Sequence, residues 1–377
     1  MSAAYECKRC GASAPLTEAH WRCPKCEGPL LVSAGSGLKR DQIRRDVGSL
    51  WRYGAAIRVP GPLVTLGEGW TPLVPGTVES VPVQFKLEFL MPTGSFKDRG
   101  TAVMINHLID RRIPRVVEDS SGNAGASIAH YAAAAGIGCT IMVPAAAPRA
   151  KIIQIAASGA TVDRVVGSRQ AVADKAIAAS SSIFYTSHNW QAFFIEGTKT
   201  LAFEIWEQLG FRVPDNIVVP VGYGSNVLGC DIGFAELRAA GEVDRVPRLF
   251  AVQAENCAPF AAAWRAGGDT LPAFPIKPTI ADGIASQKPI RLKEVLTAIR
   301  ESNGAVVGVP EEAIAGALTA LGRRGLFVEP TSATAMAALQ RLIADGTITR
   351  DQTTVVVLTG SGLKAAPEIG DLMGIDA

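Results

Sequence analysis

Short runs of β-branched and apolar residues alternate with helix-length segments from about Val81 onward, and no other feature restricts the fold of this chain as strongly. Val83-Gln-Phe-Lys-Leu, Arg115-Val-Val-Glu, Thr140-Ile-Met-Val, Thr161-Val-Asp-Arg-Val-Val, Asn216-Ile-Val-Val, Leu249-Phe-Ala-Val and Thr353-Thr-Val-Val-Val-Leu read as buried strands. Ala-rich stretches at 124–135 and 333–344 read as helices. Such alternation predicts βαβ units and helix-covered sheets. The fold class expected is α/β, with two open lobes built on mainly parallel sheets. At 377 residues, two or three domains fit the length.

Composition excludes several functions. Hydrophobic residues at 48% and charged residues at 19% are those of a globular protein. Lys+Arg 37 against Asp+Glu 35 leaves no global field for nucleic acid or an anionic membrane, so neither partner is expected. The stretch 122–148 carries no Asp, Glu, Lys or Arg and is long enough to span a bilayer. His130, its glycines and Pro144 divide it instead into an Ala-rich helix and a short strand. No basic region followed by an apolar core opens the chain, so a cytoplasmic protein is expected.

Four of the seven cysteines form one pattern, Cys7-x2-Cys10 and, twelve residues later, Cys23-x2-Cys26. Two CxxC turns can aim four thiolates at one point, a closed tetrahedral shell suited to structural zinc. Gly11 and Gly28 are placed to form the tight turns. Lys8, Arg9, Arg22 and Lys25 would offset thiolate charge. Paired disulfides or a redox CxxC are the competing readings, disfavoured by compartment and by the small polar context. Cys139, Cys230 and Cys257 read as packing residues.

Ligands in open α/β sheets bind beyond the carboxyl ends of strands, and four loops there carry chemistry. In Pro92-Thr-Gly-Ser-Phe-Lys97-Asp-Arg-Gly100, a lysine partly shielded at a helix start can lose its proton and react with an aldehyde. Alone, it reads equally as a surface lysine beside Asp98. Ser120-Ser-Gly-Asn123-Ala-Gly-Ala-Ser127 enters a helix, giving either a carboxylate site or plain capping. Val219-Pro-Val-Gly222-Tyr-Gly-Ser-Asn226-Val-Leu-Gly229 lets successive amides approach a phosphate. Its glycine interval does not match a dinucleotide turn. Leu358-Thr359-Gly-Ser-Gly-Leu-Lys364 follows the last strand.

In this order the four loops resemble the fold-type-II pyridoxal-phosphate enzymes, the tryptophan synthase β family, and within these the chain is similar to the threonine synthases. Gly67-Glu-Gly-Trp-Thr-Pro-Leu, Glu196-Gly-Thr-Lys-Thr and Glu329-Pro-Thr-Ser-Ala extend the resemblance over most of the chain, and an N-terminal zinc ribbon occurs in that family. The resemblance implies pyridoxal 5'-phosphate as cofactor, with Lys97 holding its aldehyde and shuttling protons. It implies Asn123 at the phenolic oxygen, Gly222, Tyr223, Gly224, Ser225 and Asn226 around the phosphate, and Thr359 at the ring nitrogen. Ser120 and Ser121 would meet the carboxylate of a small amino-acid substrate. The expected division is a zinc ribbon at 1–33, a linker and the first part of the large domain at 34–91, a smaller lobe at 92–190, and the rest of the large lobe at 191–377. A homodimer is the family expectation.

The chain departs from the family where the substrate would sit. Alignment on Glu196-Gly-Thr-Lys-Thr puts Phe194 where the family's phosphate-binding arginine stands, with Gln191 and Ala192 for its Asn-Pro. A phenyl ring cannot replace a bidentate phosphate donor. Ala124 replaces a threonine, Met91 an asparagine and Ala365 an aspartate. Lys151 and Arg149 are the remaining anion partners nearby. Thr279-Ile-Ala-Asp-Gly-Ile284 resembles a stretch of serine/threonine dehydratases. The leading expectation is threonine formation from O-phosphohomoserine. An ammonia-lyase or β-replacement synthase is the alternative, and a non-catalytic cofactor-binding or ribbon interaction protein the alternative of a different class.

Overall fold

The computed structural model of the chain describes residues 3–375, apart from the side chains of residues 150 and 151. The chain divides into two compact units, each assembled from two stretches: Met1–Gly69 with Lys97–Thr200, and Trp70–Phe96 with Leu201–Ala377.

The first unit holds a parallel four-stranded sheet in the order Thr161–Val165, Gly138–Pro144, Arg115–Glu118, Phe184–Tyr185. Val116 and Val117 are fully covered, as strands with helices on both faces require. The second unit holds a six-stranded sheet in the order Ala305–Val309, Arg248–Ala254, Asn216–Pro220, Thr354–Val357, Val81–Lys86, Leu73–Val78. All of its pairings are parallel except the last, which is antiparallel. Pro75 lies in that edge strand, where a missing N–H breaks no inner ladder.

Each strand read from the sequence is present, and the two Ala-rich stretches form the helices Asn123–Ala134 and Pro330–Ala344. The uncharged stretch divides as expected into a helix and the strand Gly138–Pro144. No helix among the described residues is long and apolar enough to cross a membrane. Three strands of these two sheets were not anticipated. Phe184–Tyr185 is too short to show a period, Leu73–Val78 is interrupted by Pro75 and Gly76, and Ala305–Val309 is interrupted by Gly308.

The cysteine-bearing N-terminus forms its own three-stranded antiparallel sheet, with Ala4–Glu6 between Ser13–Pro15 and Leu31–Val32. It shares a core with the first unit: Tyr5, Cys7, Cys23 and Leu30 pack with Val103, Leu108, Ile128 and Phe193. The Tyr5 hydroxyl lies 2.9 Å from His107 Nε2, and His107 stacks on Phe193 with centroids 3.7 Å apart. Trp21 packs edge-on against Tyr185 and Trp190.

Burial, helped by nearby Arg111, pushes the His107 imidazole down to about 3, so it stays neutral. A depressed histidine contributes stability above its ordinary pKa and loses it as pH falls, because the unfolded chain takes up the proton first. Between pH 6.5 and about 3, His107 should therefore remove about 1.4 kcal/mol of stability per pH unit. Urea titrations of His107→Gln against the parent across that range should show a flatter acid limb.

Candidate active site

Lys97 opens the helix Lys97–Asp110 and is half-buried, as a shielded reactive amine requires. The surface alternative does not hold, since neighbouring Asp98 is fully buried and accepts a 2.6 Å hydrogen bond from Ser127 Oγ. The Lys97 ammonium lies 5.7 Å from the centroid of Phe194, a cation–π distance. Phe194 is itself fully buried in the helix Ala192–Thr198.

Two glycines let these helices meet. A Cβ on Gly100 would fall 2.5 Å from the Phe194 ring, and one on Gly197 would fall 2.1 Å from the Arg99 carbonyl oxygen. Glu196 receives Lys199 Nζ at 2.8 Å, Arg58 Nη1 at 2.8 Å and the Arg58 amide at 3.0 Å.

Ser120 and Ser121 lie in the loop between the strand Arg115–Glu118 and the helix Asn123–Ala134, whose first two residues are Asn123 and Ala124. Gly122 is the N-cap, and no side chain caps this helix, so the plain capping reading fails. The Gly122 amide donates instead to Ser120 Oγ at 3.3 Å. A Cβ on Gly125 would fall 1.9 Å from the Ser120 carbonyl oxygen, which holds the loop tight on the helix. Arg149 is exposed at the start of the helix Arg149–Ala157, and the Lys151 side chain lies outside the described residues.

In the second unit, Gly222, Tyr223 and Gly224 turn from the strand Asn216–Pro220 into the helix Ser225–Ala239. Gly224 has φ of 95°, and an added Cβ would meet Val295 at 2.2 Å, so only glycine fits. No side chain caps this helix either. Asn226 is buried, with neither amide atom hydrogen-bonded among the described residues. The dehydratase-like stretch backs this turn: a Cβ on Gly222 would lie 3.3 Å from Gly283 O and from Ile284 Cα. Ser286 Oγ donates to Gly222 O at 2.5 Å. Thr359 is buried with its hydroxyl 3.1 Å from that of Ser332, in the Glu329-Pro-Thr-Ser-Ala segment. The 590 Å³ surface cavity of this unit, lined by residues including Phe211, Asp215 and Arg245, shares no residue with these loops.

The four N-terminal sulfurs lie within 4.8 Å of one another, with Cys7–Cys26 at 3.4 Å and Cys10–Cys23 at 3.7 Å. Four thiolates about 2.3 Å from one zinc ion stand about 3.8 Å apart, so the cluster is close to that geometry. The second turn departs from expectation. Its left-handed residue is Glu27, φ 56°, while Gly28 is needed because a Cβ there would meet Arg9 at 2.7 Å and Cys26 Sγ at 3.2 Å.

The protein-family model described as pyridoxal-phosphate dependent enzyme matches residues 64–360. The threonine synthase of Methanosarcina acetivorans is 34% identical over 378 residues, covering 97% of this chain and 93% of that protein. That of Methanocaldococcus jannaschii is 33% identical over 374 residues, covering 95% and 92%. The chain belongs to the threonine synthase family of pyridoxal-phosphate dependent enzymes. Among solved structures, the processed form of threonine deaminase isoform 2 from Solanum lycopersicum aligns with a TM-score of 0.68 at 21% identity. It covers 81% of this chain and 84% of that one, a likeness of fold. The family match begins beyond the cysteine cluster, which therefore lies outside the matched segment of this pyridoxal-phosphate dependent enzyme.

Sequence reading missed a polar group in the first unit, made of Glu118, Asp119, Tyr185 and His188. Its signal was present: two acidic residues end a buried apolar strand directly before Ser120. Asp119 accepts from Tyr185 at 2.8 Å and from Arg169 at 2.7 Å, and His188 Nδ1 lies 3.2 Å from Glu118 Oε1.

The glycine contacts give a paired expectation. Gly197→Ala should cost about 3 kcal/mol, since backbone must move to admit the methyl. Gly316→Ala, on an exposed helical position with nothing within 4 Å, should add roughly 0.5–1 kcal/mol. Urea midpoints of the two variants measure both.

Proposed function

We propose that this protein is a carbon–oxygen lyase of threonine-synthase type, which eliminates and replaces groups at the β and γ carbons of an amino acid, with O-phosphohomoserine giving threonine. The observation that carries this reading is the 34% identity to an archaeal threonine synthase along 97% of the chain. Pyridoxal 5'-phosphate, when bound, supplies the electron sink that makes the substrate Cα–H acidic.

Several features of the chain support the roles proposed. In the first unit, Lys97 would hold the cofactor aldehyde, and its amine, once free, would take the Cα proton and return protons further along the side chain. Asn123 would hydrogen-bond the cofactor's phenolic oxygen. The hydroxyls of Ser120 and Ser121, with the uncapped amides of the helix Asn123–Ala134, suit a carboxylate. In the second unit, the uncapped start of the helix Ser225–Ala239 suits a phosphate, and the buried amide of Asn226 has hydrogen-bonding capacity to offer it. Thr359, steadied by Ser332, offers the ring nitrogen a neutral partner that does not force protonation, which favours elimination over transamination.

A second reading rests on one observation. Phe194 is fully buried where the family places its phosphate-binding arginine. It favours an ammonia-lyase or β-replacement synthase acting on a less phosphorylated amino acid, with Ala124 and Phe194 forming apolar walls. Structural zinc on Cys7, Cys10, Cys23 and Cys26 belongs to the proposal, supported by the sulfur spacing. A homodimer in the cytoplasm also does; all seven cysteines are free of disulfides, as a reducing compartment keeps them.

The test is incubation of cofactor-loaded protein with O-phosphohomoserine, following phosphate and threonine together. Equal release of both supports threonine formation, and Lys97→Ala should abolish it. No turnover by protein that keeps its cofactor absorbance, with serine or threonine giving 2-oxo acid and ammonia, overturns it in favour of the second reading. In that case Phe194→Arg should not create phosphohomoserine use; under the first reading it should raise it. Metal removal by a chelator should lower Tm by roughly 5–10 °C, because the ribbon shares the core of the first unit. Differential scanning calorimetry with zinc added back is the check.

A further inference from the structure

Three segments of the second unit that lie far apart in the chain are joined through their backbones. Ser95 pairs with Gly360, and Val328 with Ser361, in antiparallel bridges. The Phe96 amide donates to Thr359 O and the Ser361 amide to Gly94 O, each at 2.9 Å. The Glu329 amide donates to Gly360 O at 3.0 Å. Ser332 Oγ, which meets the Thr359 hydroxyl, also accepts from the Gly360 amide at 2.8 Å. Phe96 directly precedes Lys97, so the segment that delivers the lysine is bonded to Thr359 itself.

These backbone contacts hold the loop 92–96 from the Gly94 carbonyl onward. Ahead of that point lies the permissive backbone of Gly94, at φ 82°. There a side chain takes over. The turn Gly362–Ala365, where Ser361 Oγ accepts from the Leu363 amide at 3.3 Å, brings Lys364 back over the loop. Its ammonium donates to Thr93 O at 2.8 Å. Its stem packs on Gly94, where an added Cβ would lie 3.3 Å from Lys364 Cδ. Thr93 is buried, so water does not readily replace the ammonium at that carbonyl.

We infer that Lys364 is a positioning residue for Lys97: by clamping Thr93 ahead of Gly94 it keeps the loop 92–96 seated on Thr359, so that the segment delivering Lys97 starts from a fixed point. This rests on the reading of Lys97 and Thr359 as cofactor residues. Both would then have to be in place before the cofactor binds, and a loosened loop lowers the fraction of molecules ready to take it.

The experiment follows cofactor binding to the full-length protein by visible absorbance, at a temperature well below its Tm, together with melting of the cofactor-free protein. Lys364→Met keeps the stem on Gly94 and removes the donor. Losing a charge-assisted hydrogen bond shifts the balance between seated and loosened loop by roughly tenfold or more, so cofactor Kd should rise about tenfold. Lys364→Arg, which keeps the charge and its donors, should return Kd to within about threefold of the parent's. A purely structural role would lower Tm and leave Kd where it was. A Lys364→Met Kd within about twofold of the parent's, or a Lys364→Arg variant as weak as Lys364→Met, overturns the inference whatever happens to Tm. Should Lys364→Met not fold, Lys364→Gln, whose amide is one bond too short for Thr93, is read by the same limits. Failure of the underlying reading is distinct: the parent would take up no cofactor, or borohydride reduction would fix the cofactor to a residue other than Lys97.

Discussion

The close approach of the helices Lys97–Asp110 and Ala192–Thr198, allowed by Gly100 and Gly197, is the constraint on which the rest of the first unit depends. With side chains at either position the helices would separate, and Phe194 could not reach Lys97. The same contact carries the ribbon. Phe193, next to Phe194, stacks on His107 of the facing helix, and His107 meets Tyr5 of the ribbon. A change in helix spacing would therefore be felt at Lys97 and at the cysteine-bearing sheet together, since packed interiors transmit strain.

Buried carboxylates repeat as a device for fixing loops. Glu68 accepts from Trp51, Tyr131 and the Leu66 amide in the first unit. In the second, Glu204 accepts from the amides of Trp70 and Thr71 and from Lys86. Together they anchor the two halves of the Gly67-Glu-Gly-Trp-Thr-Pro-Leu segment, each within its own unit. Burial alone would raise Glu196, but Lys199 and Arg58 outweigh it and hold that carboxyl below its usual value. Glu118 differs, because its bonded neighbour is a neutral imidazole and, among the described residues, no cation is hydrogen-bonded to it. Three of these four acids are satisfied as structure; the fourth keeps an oxygen unmatched in the depth of the unit that bears Lys97.

Much of the candidate site was legible because its chemistry lies in contiguous loops. Gly222 to Asn226 announce a tight turn before a helix, and Gly224 at φ 95° is the glycine that turn needs. The cysteine spacing likewise implies a cluster that the structure brings together. Pairings distant in sequence were not legible. Nothing near Thr359 in the chain points to Ser332, nothing near Glu118 points to His188, and Phe194 read only as an absent arginine. Gly28 shows how a correct residue can be given the wrong reason: it serves close packing against Arg9, while Glu27 bears the left-handed turn.

The sequence by itself determined the parallel α/β character, the clustering of four N-terminal cysteines and the order of the candidate loops. Period, turn residues and ligand spacing are local properties, written within a few positions of one another. Tertiary structure decided which side chains face one another. Packing merged the ribbon with the core of the first unit, placed a phenyl ring over Lys97, and left a protonatable carboxyl behind it. Those outcomes depend on burial and on contacts between remote segments, which set the cost of a charge and the room for a methyl group.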